Sequence, residues 1–318
     1  MAIGDLISAS DYNSMRSDTD TVLGTNSLGY GQTLRSSTVS TSSLVTSNNM
    51  QQLYLDIMSA KVHQSGSLNT TVVYPAIGDL IAWETSTAPD ATKKGINDFI
   101  TLKNSIVSFD FQTSKFPDVC FSISTLNTST RNGTTTPWGT AADVQTITHD
   151  VVVTFANANH MQYFFNAGGE IRFSASLTSP TDAKSTDWSN MLSAMGTIAF
   201  NKWETRSLSS SGSGALVGSS TVTSTYQTAF IKYGSSVYSD NFYSISARKP
   251  SVNTLRFLIS FTDGDDGTDL VNPIDENVTG LVTSLVQTRQ PNSSFTLNST
   301  SYTAVSITNP TATLITGL

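Results

Sequence analysis

The sequence predicts an α+β protein that is mainly β, with an N-terminal helical docking region followed by an antiparallel β-sandwich or jelly-roll-like domain. Three observations carry this expectation. Apolar residues recur at helical spacing over roughly the first seventy positions, the spacing changes to strand period from about residue 144, and the outward strand positions are filled with Ser and Thr. The expected boundaries are 1–75 for the helical region with an extended arm, 76–143 for a mixed connecting region, and 144–318 for the sandwich with one packed helix.

The helical region reads as two segments of one design. Ser8-Ala9-Ser10-Asp11 is a variant capping box, and Tyr12, Met15, Thr19 and Val22 follow as a single stripe. Thr46 opens a second segment, in which Met50, Leu53, Ile57 and Ala60 repeat that stripe at a constant offset, as an internal duplication would. Gly24 and Gly66 stand where helices end. The Ser/Thr-rich connection between them, Gly24 to Leu44, is longer than compact domains usually tolerate, and it reads as an arm lying on a neighbouring subunit. A lone subunit has too little chain here to cover both stripes. Tyr12, Met15, Val22, Met50, Leu53 and Ile57 are therefore the expected assembly interface. Ala2-Ile3-Gly4-Asp5-Leu6-Ile7 recurs as Ala76-Ile77-Gly78-Asp79-Leu80-Ile81, too short to establish a repeated fold. In the connecting region, Ile96, Phe99, Ile100, Lys103 and Val107 hint at a helix.

Strict alternation marks the later strands. Val151, Val153 and Phe155 share one face, as do Ile171, Phe173, Ala175 and Leu177; Tyr243, Ile245 and Ala247; and Leu255, Phe257, Ile259 and Phe261. One apolar face per strand is the pattern of antiparallel strands half buried in a sandwich. Trp188, Met191, Leu192 and Met195 interrupt it at helical spacing before Gly196, predicting a helix that closes an end or edge of the sheets. Ser207 to Ser220 is rich in Ser and Gly and reads as a flexible loop.

Composition excludes several function classes. Hydrophobic residues make up 38 % of the 318 and charged residues only 13 %, which argues against disorder, since that needs high net charge together with low hydrophobicity. A surface so poor in charge is also cheap to cover. Seventeen Lys and Arg against 24 Asp and Glu give a charge of −7, with no basic cluster, so no nucleic-acid partner is expected. The start lacks a secretory leader pattern and no apolar run is long enough to span a bilayer, so synthesis in the cytoplasm without membrane insertion is expected. Cys120, the single cysteine, rules out an intrachain disulfide and reads as a buried, inert thiol.

Catalytic material is sparse. His63, His149 and His160 lack partners at ligand spacing, and neither a G-x-S-x-G elbow nor a phosphate-binding loop occurs. Glu84, Glu170, Glu204 and Glu276 are scattered, so no catalytic residue and no cofactor is expected. One acidic loop, Asp263, Asp265, Asp266 and Asp269 among glycines, has hard oxygen ligands suited to a structural Ca²⁺, but its register is not that of an EF-hand. A solvated turn explains the same residues. Of Trp83, Trp138, Trp188 and Trp203, Trp138 in a turn-rich segment is the expected exposed, ligand-facing aromatic.

Several blocks resemble virion structural proteins of marine tailed bacteriophages, especially cyanophages. They are Gly29-Tyr30-Gly31-Gln32, Val45-Thr46 leading to Ala60-Lys61-Val62-His63-Gln64-Ser65-Gly66, the stretch from Tyr163 to Ser176, the stretch from Asp187 to Ile198, and Asp275-Glu276-Asn277-Val278-Thr279-Gly280. The blocks span most of the chain, with 90–145 unmatched. The resemblance implies a virion component of the tail, baseplate, neck or fibre base that assembles with itself and with other virion proteins, and it supplies no catalytic residues. A receptor- or glycan-binding module that reads the host surface is the alternative, and an envelope hydrolase a third class that no residue favours.

Overall fold

The computed structural model describes residues 7–25, 29–65, 96–108, 118–139, 145–264, 277–292, 294–297, 300–303 and 307–318. The chain forms two compact units that cut across the sequence order. One comprises Met1–Phe121, Gln162–Gly168 and Pro291–Ile307, the other Ser122–Met161, Gly169–Gln290 and Thr308–Leu318. The segment 76–143, expected to connect two domains, is divided between the units.

The first unit is helical: α1 (Ala9–Leu23), α2 (Ser47–Ser65) and α3 (Ile96–Ser108). Both predicted N-termini are capped in the same way. The Ser8 hydroxyl accepts the Asp11 backbone amide at 3.1 Å, and the Thr46 hydroxyl accepts the Asn49 backbone amide at 3.3 Å while Asn49 Oδ1 accepts the Thr46 backbone amide at 2.9 Å. Tyr12, Met15, Thr19 and Val22 are buried, as are Met50, Leu53, Ile57 and Ala60 at the matching positions of α2. Phe99 and Ile106 of α3 complete the cluster, with the Tyr54 and Phe99 rings edge to face at 5.8 Å. The stripes are thus sheltered within one subunit. This overturns the expectation that Tyr12, Met15, Val22, Met50, Leu53 and Ile57 form an assembly surface, because α3, remote in sequence, supplies the missing cover.

The arm is corrected in the same way. Instead of lying on a neighbour, it runs between its own helices. Asn13 donates to the Val39 carbonyl at 2.8 Å and accepts the Val39 amide at 2.9 Å, and Arg16 Nε donates to the Ser36 carbonyl at 3.0 Å. From α2, the buried Asp56 carboxylate accepts the Arg35 amide, the Ser36 amide and the Ser36 hydroxyl at 3.0, 2.9 and 2.6 Å. Burial nonetheless outweighs these donors and raises the Asp56 carboxyl above its ordinary range. His63, fully buried on α2, stacks on Tyr30 of the arm at 4.1 Å and lies 2.6 Å from the Gln32 amide nitrogen. A polar side chain every few residues makes an extended segment into part of a core.

The second unit is the expected sandwich. Its larger sheet contains β2 (Gln145–Thr154), β6 (Ser213–Gly214), β7 (Gln227–Tyr233), β8 (Phe242–Ser251), β9 (Thr254–Asp263) and β13 (Thr311–Thr316), in the order β13-β2-β9-β8-β7-β6. Its smaller sheet contains β1 (Phe121–Asn132), β3 (Glu170–Thr178), β4 (Ile198–Phe200), β5 (Thr205–Ser207) and β10 (Leu281–Pro291), in the order β1-β10-β3-β4-β5. A further pair, β11 (Ser294–Leu297) with β12 (Thr300–Thr303), and the end of α4 (Ala158–Asn166) count with the helical unit. The alternation fixes which face is inside. Leu255, Phe257, Ile259 and Phe261 are fully buried, opposite the half-exposed Arg256, Leu258 and Ser260, and β8 repeats the pattern with Tyr243, Ile245 and Ala247. Phe257 lies between Phe173 at 4.9 Å and Phe200 at 5.0 Å, both from the other sheet, so the two faces interlock through aromatic edges. Helix α5 (Ala183–Met195) packs against β3 and ends at Gly196 as predicted.

Candidate assembly edge and buried polar centres

Strand pairing leaves the two flanks of the sandwich unlike. On one flank, β5 and β6 seal the sheets together: the Thr205 amide donates to Ala215 O at 2.9 Å and the Ala215 amide returns to Thr205 O at 3.1 Å. The backbones approach so closely that a Cβ at Gly214 would fall 2.1 Å from the Thr205 carbonyl oxygen. The Ser/Gly-rich stretch 207–220, expected as a flexible loop, is therefore structural. Its serines satisfy helix-end carbonyls: Ser207 and Ser209 donate to Met195 O at 2.7 and 2.8 Å.

Among the described residues, no such backbone pair joins the sheets at the opposite flank. Strands β1 and β13 each end their sheet, and just past β13 the Leu318 amide donates to the Ser129 hydroxyl of β1 at 2.8 Å. Leu314 pairs with the fully buried Val151 and so faces inward, yet it is 44 % exposed. Ile123 shares the parity of the inward-facing Asn127 and is 55 % exposed. A β-bulge between Leu314 and Thr316 leaves Ile315 50 % exposed beside them. Strand β13, Thr-Ala-Thr-Leu-Ile-Thr, carries no charge, and the single charge of β1, Arg131, turns to its own loop to donate to Thr136 O and Pro137 O at 2.9 and 3.1 Å. An uncharged strand edge with apolar residues at its mouth is a template for another strand.

Two polar centres lie inside the sandwich. At the first, His149 of β2 spans both sheets: Nδ1 is 2.9 Å from the Ser284 hydroxyl of β10, and Nε2 is 2.9 Å from the Asn127 carbonyl oxygen of β1. The carbonyl only accepts, which puts the ring proton on Nε2 and lets Nδ1 accept from Ser284. Burial lowers the imidazole to about 4, against the smaller opposing pull of Asp150. Hydroxyl, imidazole and amide stand in line as in a nucleophile relay, but Ser284 and His149 are both fully buried, and the arrangement serves to tie sheet to sheet.

At the second centre, Lys184 of α5 donates to the Asp263 carboxylate of β9 at 2.7 Å, with both side chains fully buried, and its ammonium also lies 3.4 Å from Gly139 O. Gly139 has φ +70°, and a Cβ there would stand 2.3 Å from Asp263 Oδ2, so no other residue fits. Trp138, Trp188, Phe261 and Tyr243 surround this end of the core, with Trp138 and Trp188 edge to face at 5.0 Å. Trp138 is only 1 % exposed, which overturns its expected role as a ligand-facing aromatic; the turn that carries it folds inward, where Trp138 O accepts the Val278 amide at 2.8 Å.

Asp263 likewise is not poised for Ca²⁺, because an ammonium already occupies its carboxylate; Asp265, Asp266 and Asp269 lie outside the described residues. Among the described residues, no group of three or more His, Cys, Asp or Glu gathers as a metal site, and no helix is long and apolar enough to cross a membrane. Cys120 is buried. Both polar centres were readable from phase alone: His149 shares the parity of Val151 and Val153, Asp263 that of Phe261, and Lys184 stands one turn before Trp188 on the buried stripe. No protein-family model matches the chain, and neither the comparison with curated proteins nor that with solved structures found a relative.

Proposed function

We propose that this chain is a non-enzymatic structural subunit of a tailed-phage virion that assembles with copies of itself and with other virion proteins. The observation that carries the reading is the unsealed flank of the sandwich, where β1 and β13 present uncharged edges and Ile123, Leu314 and Ile315 stay half exposed. A second copy suits this edge because β13 carries no charge and Arg131, the one charge of β1, is engaged by its own loop, so that like edges meet with little repulsion. The sequence blocks that resemble marine phage virion proteins point to the same kind of assembly. Light scattering after size exclusion tests it. The wild-type chain is expected as a defined oligomer, and Leu314→Lys with Ile315→Lys as a folded monomer. A wild-type chain that stays monomeric at high concentration would refute the reading.

A receptor-binding role is the second reading, now resting on Trp203 instead of Trp138. Trp203 is 48 % exposed in the turn between β4 and β5, with the Lys202 ammonium 4.7 Å from its ring centre. Substituting Trp203 with Ala should abolish glycan or host-cell adsorption on that reading and leave it unchanged on the first.

A further inference from the structure

We propose that Lys184 and Asp263 become joined by a spontaneous intramolecular amide, a covalent staple between α5 and β9. Four observations converge on this pair. The contact is 2.7 Å, which brings Nζ to Cγ near the separation of about 3–3.5 Å from which near-attack conformers react. Both side chains are fully buried beside Trp138, Trp188 and Phe261, where two charges are costly and bulk water is excluded.

Each partner is also held in place. Asp182 caps α5 by accepting from the Ser185 amide and hydroxyl at 2.6 and 2.8 Å and from the Thr279 hydroxyl at 2.7 Å, which fixes the turn that carries Lys184. Asp263 pairs with Gln145 in the ladder, and the Gly139 backbone backs its Oδ2. Finally, a chain with one cysteine has no disulfide available, and an amide is the staple that needs no oxidant.

The step balances without a co-reactant. A proton passes from Nζ to Oδ2 across the contact, giving an amine and a carboxylic acid. The Nζ lone pair attacks Cγ while Gly139 O, 3.4 Å away, holds a remaining N–H in line. The Nζ–Cγ bond forms, the Cγ–Oδ2 bond breaks, and the departing hydroxyl takes a second proton from Nζ and leaves as water. One positive and one negative charge vanish together, so the net charge is unchanged.

The test is the intact mass of the full-length, denatured protein followed by fragmentation of its proteolytic peptides. The expected result is a mass one water below that of the sequence and a branched peptide joining Lys184 to Asp263, with Lys184→Arg restoring the full mass. The folded wild-type protein at full mass would overturn the proposal. So would a water loss that persists in Lys184→Arg, or one that maps to a cyclic imide between Asp263 and the Gly264 amide, the competing dehydration at an Asp-Gly step. Because the wild-type mass is itself decisive, the outcome does not depend on how well the variant folds.

Discussion

The helical unit and the sandwich each bury an aspartate and a histidine, and they satisfy them by different means. Asp56 in the helical unit is met by backbone amides and a hydroxyl of the arm, whereas Asp263 in the sandwich is met by an ammonium. His63 stacks flat on Tyr30, whereas His149 is hydrogen-bonded at both ring nitrogens. In the first unit, buried polarity pins a segment that has no ladder of its own. In the second, where ladders already hold every strand, it ties together elements that the ladders leave separate. In both units a buried polar side chain therefore bridges elements that no backbone ladder joins, and its partner type follows from what it must hold.

The largest effect is expected at the sandwich pair. Lys184→Met alone should destabilise by about 3–5 kcal/mol in urea unfolding, because it strands a buried carboxylate; Lys184→Met with Asp263→Leu should recover most of that loss where the wild-type pair is ionic, and little of it where the amide has formed. Asp56→Ala should cost less, about 2–3 kcal/mol, since the amides it frees reach water when the arm lifts. Its signature is local: limited proteolysis should cut between residues 33 and 44 while the sandwich resists. Equal protection of the arm would show that Asp56 does not hold it.

Acid should act on both units. The folded imidazoles sit at about 3 for His63 and about 4 for His149, below the ordinary 6.5, because burial disfavours the charged ring. Between those values and 6.5 the unfolded chain binds more protons than the folded one, so stability rises with pH through that window and levels off above it. By these shifts each histidine contributes on the order of 3–5 kcal/mol to the loss on full acidification. Replacing His149 with Gln should flatten the sandwich's share of the slope, measured by thermal melts from pH 4 to 7. The smallest stability effect belongs to the edge: Leu314→Lys should change monomer stability by no more than about 0.5 kcal/mol, and its effect should appear in oligomeric state instead.

Much of the fold was legible because period and phase are local. The strands around Val151, Phe173, Tyr243 and Phe257 and the helix at Trp188 follow from alternation that each segment carries by itself. What was not legible depended on distant cover. Nothing near Met15 or Leu53 announces that Phe99 and Ile106 will pack on them, so their stripes looked unsheltered. Trp138 looked exposed because its turn is polar, and only the approach of Trp188 and Phe261 brings it inside. The serines of 207–220 read as a flexible linker, since their role depends on carbonyls of Met195 and Asn201 that sequence distance hides. The polar centres differ again: His149 and Asp263 have residue types that suggest chemistry or a solvated turn, yet their strand parity places them in the core, and Lys184 stands on the buried stripe of Trp188.

The seal formed by Thr205 and Ala215 bears on how far growth could run. A sandwich with raw edges at both sides could add copies to left and right without end, the route to fibres. On the proposed assembly, stitching one side shut leaves one open edge among the described residues, so two copies meeting edge to edge about a twofold would exhaust it and growth through this domain would stop at the pair.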